Sequence, residues 1–241
     1  MKYQFGLTTG VGCQGRSFTI KPMLHLWYNH NLPTFVMFAD LVKSFDTSNH
    51  KLMVEILKKY GCPPKLCSTI RRMYTDNNVR LTIGKIDISR PFEAGLKQGD
   101  SVAPILFLFI MRAFTDTIEK EWVRNDLKMI KFKLHSNSPQ YSLRITSHPA
   151  KTFSHGTLFK IFCVLYVDDG AFASETRKDM EIGSNLVFQH FNRFGLQMHI
   201  GSKSKLSKTE CVFFPAPSHF KSASLPTHSS SSLPVRLKQK K

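Results

Sequence analysis

The segment IFCVLYVDDGAFAS, residues 161–174, sets two adjacent carboxylates, Asp168 and Asp169, into an otherwise almost wholly apolar run. Residues 160–167 are β-branched, aromatic or otherwise apolar and read as a buried strand, with Ala171–Ala173 as its return. The Asp-Asp-Gly step then forms the hairpin turn, because glycine tolerates positive φ and aspartate bonds its own backbone. One aspartate is enough for that role. Two neighbouring carboxylates on a buried hairpin tip repel each other, so the pattern asks for a cation there.

At 241 residues with 41% hydrophobic content, the chain can bury one large core or two small ones. Its formal net charge of +17, from 34 Lys+Arg against 17 Asp+Glu, favours a polyanionic partner such as nucleic acid. An anionic membrane surface is the competing partner. The longest apolar run, Val102 to Met111, is too short to span a bilayer, and MKYQFGLTTG lacks the apolar stretch of a secretory signal. The five cysteines, Cys13, Cys62, Cys67, Cys163 and Cys211, include no C-x-x-C pair. They indicate neither a disulfide framework nor a zinc site, and read as reduced thiols in an intracellular protein.

Residues 35–39, FVMFA, form a short apolar strand ending at Asp40. Thr47 or Ser48 is expected to cap the following helix, with Leu52, Ile56 and Tyr60 on one face and Gly61, Pro63 and Pro64 stopping it. Residues 65–75 make a second short helix, and VRLTIGKIDIS alternates about Gly84 as a hairpin. The chain turns at Gly99 into a long apolar helix that runs to about Trp122, with Pro104 near its start. Residues 124–156 are basic, Pro/Ser-rich and weakly patterned, as an inserted excursion would be. A helix from about Thr176 to Phe194 presents Met180, Val187, Phe191 and Phe194, and LQMHI and ECVFF are the last strand candidates. From Pro215 the chain has few large apolar residues and many serines, and is expected to be disordered.

This order of elements suits an α+β layer arrangement, with helices packed on one face of an antiparallel sheet. It can bring Asp40 beside Asp168. Carboxylates from separate strands are what two-metal phosphoryl transfer requires, since they hold Mg²⁺ while the metals activate the attacking hydroxyl and neutralise the leaving group.

In this order the motifs resemble those of a reverse transcriptase domain, closest in style to non-long-terminal-repeat retrotransposons and group II introns. FADLVKSFD resembles that family's first palm motif, AGLKQGDSVAP its glycine-glutamine-glycine motif, YVDD its metal-binding hairpin and GLQMHIGSKSKLSKTECVFF its final palm motif. The opening YQFG…GRS resembles the end of the fingers. The resemblance covers residues 3 to about 214. It implies partial fingers over 1–33, a first palm part over 34–123, a basic insertion over 124–156, a second palm part over 157–214 and a basic low-complexity tail over 215–241.

Residue by residue, it implies that Asp40, Asp168 and Asp169 are the catalytic carboxylates and hold two Mg²⁺ ions. Phe45 matches the bulky residue beneath the sugar of the incoming nucleotide. Gln98 and Gly99 match the motif whose glutamine touches the nucleotide and whose glycine leaves room for template and base. Lys208 resembles the lysine near the leaving pyrophosphate, with Lys203 and Lys205 as alternatives, and Arg16 resembles a fingers contact to the triphosphate. Ala103-Pro104 stands where the family has Ser-Pro. Nothing in the sequence resembles the family's earlier fingers strands, thumb, endonuclease or RNase H.

The expected function is therefore RNA-directed DNA polymerase activity on template RNA, a DNA primer and deoxynucleoside triphosphates, inside the nucleus or cytoplasm and away from membranes. The alternative is a truncated retroelement remnant that binds nucleic acid without catalysis. A metal-dependent nuclease would share the carboxylates but leave Phe45 and Gln98-Gly99 without a role.

Overall fold

The structure, a computed structural model, describes residues 4, 20–21, 23–25, 27–134, 143–145, 157–201, 206–221 and 235–236. Its centre is β1 (Thr34–Ala39), an apolar strand with antiparallel neighbours on both sides. Both of its faces are covered. Met37 and Ala39 point into the main core, while Val36 packs with Ala171 and Ala173 against Met23 and Trp27. Coverage on both faces explains why FVMFA is a continuous apolar run rather than an alternating one.

Helix α1 (His50–Lys59) follows β1 and is capped by Asn49, whose Oδ1 accepts from the Leu52 N–H at 3.0 Å. The expected caps are engaged elsewhere: Thr47 donates to the Lys43 carbonyl and Ser48 to the Ser44 carbonyl, closing the turn that precedes the helix. The buried face is Met53, Val54, Ile56 and Leu57, rotated from the expected one. Tyr60 lies at the open end, where its hydroxyl donates to Asp116 Oδ2 at 2.6 Å. Partial burial, reinforced by that carboxylate, pushes the Tyr60 phenol up to about 12.

Helix α2 (Pro64–Tyr74) starts on a proline and buries Cys67, Ile70 and Tyr74. Strands β2 (Asn78–Ile83) and β3 (Ile86–Pro91) form the expected hairpin, closed at its neck by Phe92 N–H donating to the Asn77 carbonyl. Its alternation does not mark a buried face, for Val79, Leu81, Ile83, Ile86 and Ile88 are all exposed.

Helix α3 (Ala103–Arg124) runs through the core. Phe114 stacks on Phe191 of α4 (Arg177–Arg193) at 4.0 Å between ring centroids, and Phe172 meets both rings edge-on. Trp122 lies against Gly183 so closely that a Cβ there would be 2.4 Å from the indole. Thr176 caps α4, its hydroxyl accepting from the Asp179 N–H.

Within the stretch expected to be an excursion, β4 (Ile130–Leu134) pairs with β5 (Leu143–Ile145) and with β6 (Thr157–Ile161) in a separate three-stranded sheet. Residues 135–142 and 146–156 lie outside the described residues. The apolar run 160–167 is consequently not one strand. It bends at the fully buried Phe162, whose ring packs on Trp122, and only then enters β7 (Cys163–Tyr166).

The hairpin turn also differs from the sequence expectation. Tyr166 pairs with Asp169, so the two turn residues are Val167 and Asp168, and Asp169 and Gly170 belong to β8 (Asp169–Ser174). Gly170 is required for space and not for a positive φ, since a Cβ there would stand 2.7 Å from the Phe172 ring.

The main sheet has the order β10-β9-β1-β8-β7, with β9 at Glu210–Phe214 and β10 at Val235–Arg236. LQMHI contributes one bridge, Leu41 to Met198, rather than a strand. In the stretch expected to lack structure, Pro217–Lys221 forms α5, with Ser218 N–H donating to Asn31 Oδ1, and Val235–Arg236 pairs with β9. Residues 222–234 and 237–241 lie outside the described residues.

Candidate active site

The register of the main sheet determines which groups meet at its rim. Ala39 pairs with Gly170, so the next residue on each strand sets Asp40 level with Asp169, with Asp168 just beyond in the turn. On the other side, Phe38 pairs with Glu210, and continuing that antiparallel register sets Asp40 level with Lys208. The Lys208 ammonium stands 3.9 Å from Asp40 Oδ2. The Lys208 side chain is 68% exposed and the Asp40 side chain 32%, so at this separation the pair adds little to the stability of the fold.

Two elements brace Asp40. Its N–H donates to Thr209 Oγ1, its carbonyl accepts from His199 N–H, and His199 Nδ1 accepts from the Lys208 N–H. The loop before β9 thus ties the backbones of Asp40 and Lys208 to one residue, His199, the first through its main-chain N–H and the second through its imidazole. Arg16, Lys203 and Lys205 lie outside the described residues.

After Asp40 the chain reverses through residues 43–47, with Lys43 at φ +45 and its carbonyl accepting from the N–H groups of Asp46 and Thr47. That reversal turns Ser44 inward. Its hydroxyl, only 2% exposed, donates to Asp168 Oδ2 at 3.0 Å. Phe45 is half-buried and stacks on Phe107 of α3, with ring centroids 4.5 Å apart.

The glycine-glutamine-glycine loop lies along this same reversal. Leu96 N–H donates to the Phe45 carbonyl and Gly95 N–H to the Ser48 carbonyl. Gly95 has φ +96, and a Cβ there would strike the Asp46 carbonyl at 2.8 Å. Gln98 is exposed and its Nε2 donates to Asp46 Oδ1 at 2.8 Å, which joins it to the residue after Phe45. Gly99 has φ +87 and open space where its Cβ would be.

Asp40, Asp168 and Asp169 offer hard carboxylate oxygens from adjoining chain segments, the donor chemistry a divalent cation takes. Their side chains nevertheless turn to separate partners, Asp40 toward Lys208 and Asp168 toward Ser44. Among the described residues, no three His, Cys, Asp or Glu side chains stand close enough together to hold a metal ion.

Sequence reading passed over Ser44, Asp46, His199 and Gln4. The first two lie inside FADLVKSFD and His199 inside LQMHIG, so their motif membership was the available signal. No described helix is long and apolar enough to cross a membrane.

Comparison with known proteins finds a family match along most of the chain. The family described as reverse transcriptase (RNA-dependent DNA polymerase) matches residues 2–215. A curated relative, the retrovirus-related Pol polyprotein from type-2 retrotransposable element R2DM of Drosophila melanogaster, is 27% identical over 120 residues. That alignment covers 49% of this chain and 11% of the relative, so the chain spans only a small part of that protein's length. With the match running from residue 2 through β9, the chain belongs to the reverse transcriptase (RNA-dependent DNA polymerase) family.

Proposed function

We propose that this chain is the palm, with part of the fingers, of a retroelement RNA-directed DNA polymerase that extends a DNA primer on template RNA inside the cell. The observation that supports the reading is the register that sets Asp40 level with Asp169, with Asp168 next to it in the turn and the Lys208 ammonium 3.9 Å from Asp40. Asp40, Asp168 and Asp169 would hold two Mg²⁺ ions, whose chemistry is to activate the primer 3′-hydroxyl and to stabilise charge on the leaving pyrophosphate. Lys208 supplies a cation on the same rim, suited to the departing phosphate oxygens. Phe45 lies beneath the deoxyribose, and Gln98, anchored by Asp46, contacts the nucleotide, while Gly99 leaves its base and the template free of a side chain. Arg16 is assigned to the triphosphate by its motif alone. The net charge of +17 suits the phosphate backbones of template and primer.

The test is primer extension by the full chain on an RNA template with deoxynucleotides and Mg²⁺. Asp40→Asn and Asp168→Asn should each abolish extension and leave RNA binding unchanged, because each removes a ligand and almost no surface. Extension by both variants at the parent's rate would overturn the site assignment. A second reading, a remnant that binds nucleic acid without catalysis, is favoured by the separate partners of Asp40 and Asp168. It predicts RNA binding by the parent with no extension under any divalent cation.

A further inference from the structure

Five non-glycine residues among those described have a positive φ: Asn31, Lys43, Asp76, Asp126 and Val167. Asparagine and aspartate adopt that region at little cost, but a β-branched residue there is a true outlier. Val167, at φ +57, is the β-branched one, and it immediately precedes Asp168. It holds the first position of the two-residue turn, where a hairpin normally uses glycine or asparagine. Something must therefore hold the backbone where valine would not leave it.

Gln4 does so from the far end of the sequence. Its Nε2 donates to the Val167 carbonyl at 3.0 Å, and its Oε1 accepts from the Val167 N–H at 2.9 Å. Both main-chain groups of the strained residue are thus satisfied by one carboxamide. The orientation of that amide is unambiguous, since exchanging its O and N would break both bonds at once. Gln4 is only 4% exposed, and its backbone forms a parallel bridge to Leu165, so the side chain is itself fixed before it reaches the turn. The Val167 side chain packs on the main core and adds to the hold.

We propose that Gln4 is a positioning residue for Asp168 and Asp169: its carboxamide acts as a surrogate strand partner that locks Val167 in the left-handed region and so fixes the tip from which both carboxylates project. Gln4 touches neither carboxylate and needs no contact with substrate. The inference rests on the polymerase reading for its catalytic consequence, while its structural half stands without it.

The test pairs two readouts on the full chain. Hydrogen exchange should show the Val167 amide losing protection at least tenfold in Gln4→Leu relative to the parent, with α3 unchanged. In primer extension, Gln4→Leu should lower kcat about tenfold with the KM for deoxynucleotides within about twofold, the size expected when a left-handed β-branched residue is released. In a Val167→Gly background, where positive φ costs nothing, the same Gln4→Leu change should cost less than about twofold. Gln4→Met fills nearly the same space and lacks both the donor to the Val167 carbonyl and the acceptor for its N–H, so it should show the exchange defect even if the leucine variant fails to fold. Unchanged Val167 protection in Gln4→Met, or an equal loss of kcat in both backgrounds, would overturn the proposal. A parent that extends no primer would count against the polymerase reading alone, because the exchange measurement still decides the role of Gln4.

Discussion

Ser44 and Asp168, far apart in sequence, are joined by a buried hydroxyl donating to a carboxylate oxygen at 3.0 Å. The bond links the reversal after Asp40 to the hairpin tip. Hydrogen bonds to charged groups contribute about 1.5–3 kcal/mol, enough to select one Asp168 rotamer. Ser44→Ala should therefore leave Asp168 rotationally free and raise the Mg²⁺ concentration giving half-maximal extension by about three- to tenfold. A Mg²⁺ titration of extension rate, paired with Mg²⁺-dependent thermal stabilisation, measures it. An unchanged requirement in both assays would show that the hydroxyl plays no part in orienting the carboxylate.

Phe45 lies on Phe107 with one ring face, and the prediction turns on what its other face does. If the ring fills the space a ribose 2′-hydroxyl needs, Phe45→Ala should raise ribonucleotide incorporation selectively and reduce deoxynucleotide use only modestly. Were it an ordinary core residue, truncation would cost about 3–5 kcal/mol of stability and depress both alike. The ratio of ribo- to deoxynucleotide incorporation, read beside the melting temperature, separates the two.

Gly183 offers a test of the core in which two effects oppose each other. Glycine to alanine within a helix normally stabilises by about 1 kcal/mol. Here the new methyl would stand 2.4 Å from the buried Trp122 ring, and overpacking costs about 1–3 kcal/mol. Gly183→Ala should therefore lower the denaturation midpoint, and a rise would show that Trp122 repacks freely.

Electrostatics should dominate association with RNA. With a formal charge of +17, binding of the full chain ought to weaken steeply between low and physiological salt as released counterions lose their advantage. Fluorescence anisotropy over a salt series gives the slope. A flat response would argue for recognition through apolar or base-edge contacts.

Much of the scaffold was legible because local pattern and tertiary demand agree. FVMFA ends at Asp40, α3 follows Gly99, and α4 begins next to Thr176, where the sequence starts that helix. Failures came where a good local signal lost to packing. Asp-Gly is a strong turn signal, yet the turn lies two residues earlier, because Phe172 leaves room for no side chain at position 170 and Gln4 holds Val167 in its place. Thr47 and Ser48 are good caps in isolation, but the turn after Lys43 uses both hydroxyls and Asn49 remains. The motifs point to Asp40, Asp168, Asp169 and Lys208, and the sheet register brings these residues to one rim. The bonds of Ser44 to Asp168 and of Gln4 to Val167 were not legible, since each joins residues more than a hundred positions apart.

The sheet order has a consequence for how the chain is made. β1 is complete by Ala39, but its two neighbours, β8 and β9, end at Ser174 and Phe214. During synthesis the central strand must wait with both edges open while α1, α2, α3 and the separate three-stranded sheet emerge. Those intervening elements add little to the cost of closure, which grows only with the logarithm of loop length. They do set the timing. Asp40 is among the first described residues to leave the ribosome, yet the rim that surrounds it can assemble only after β9 has followed, so a nascent chain halted between Arg124 and Glu210 holds every part of α3 and no completed rim.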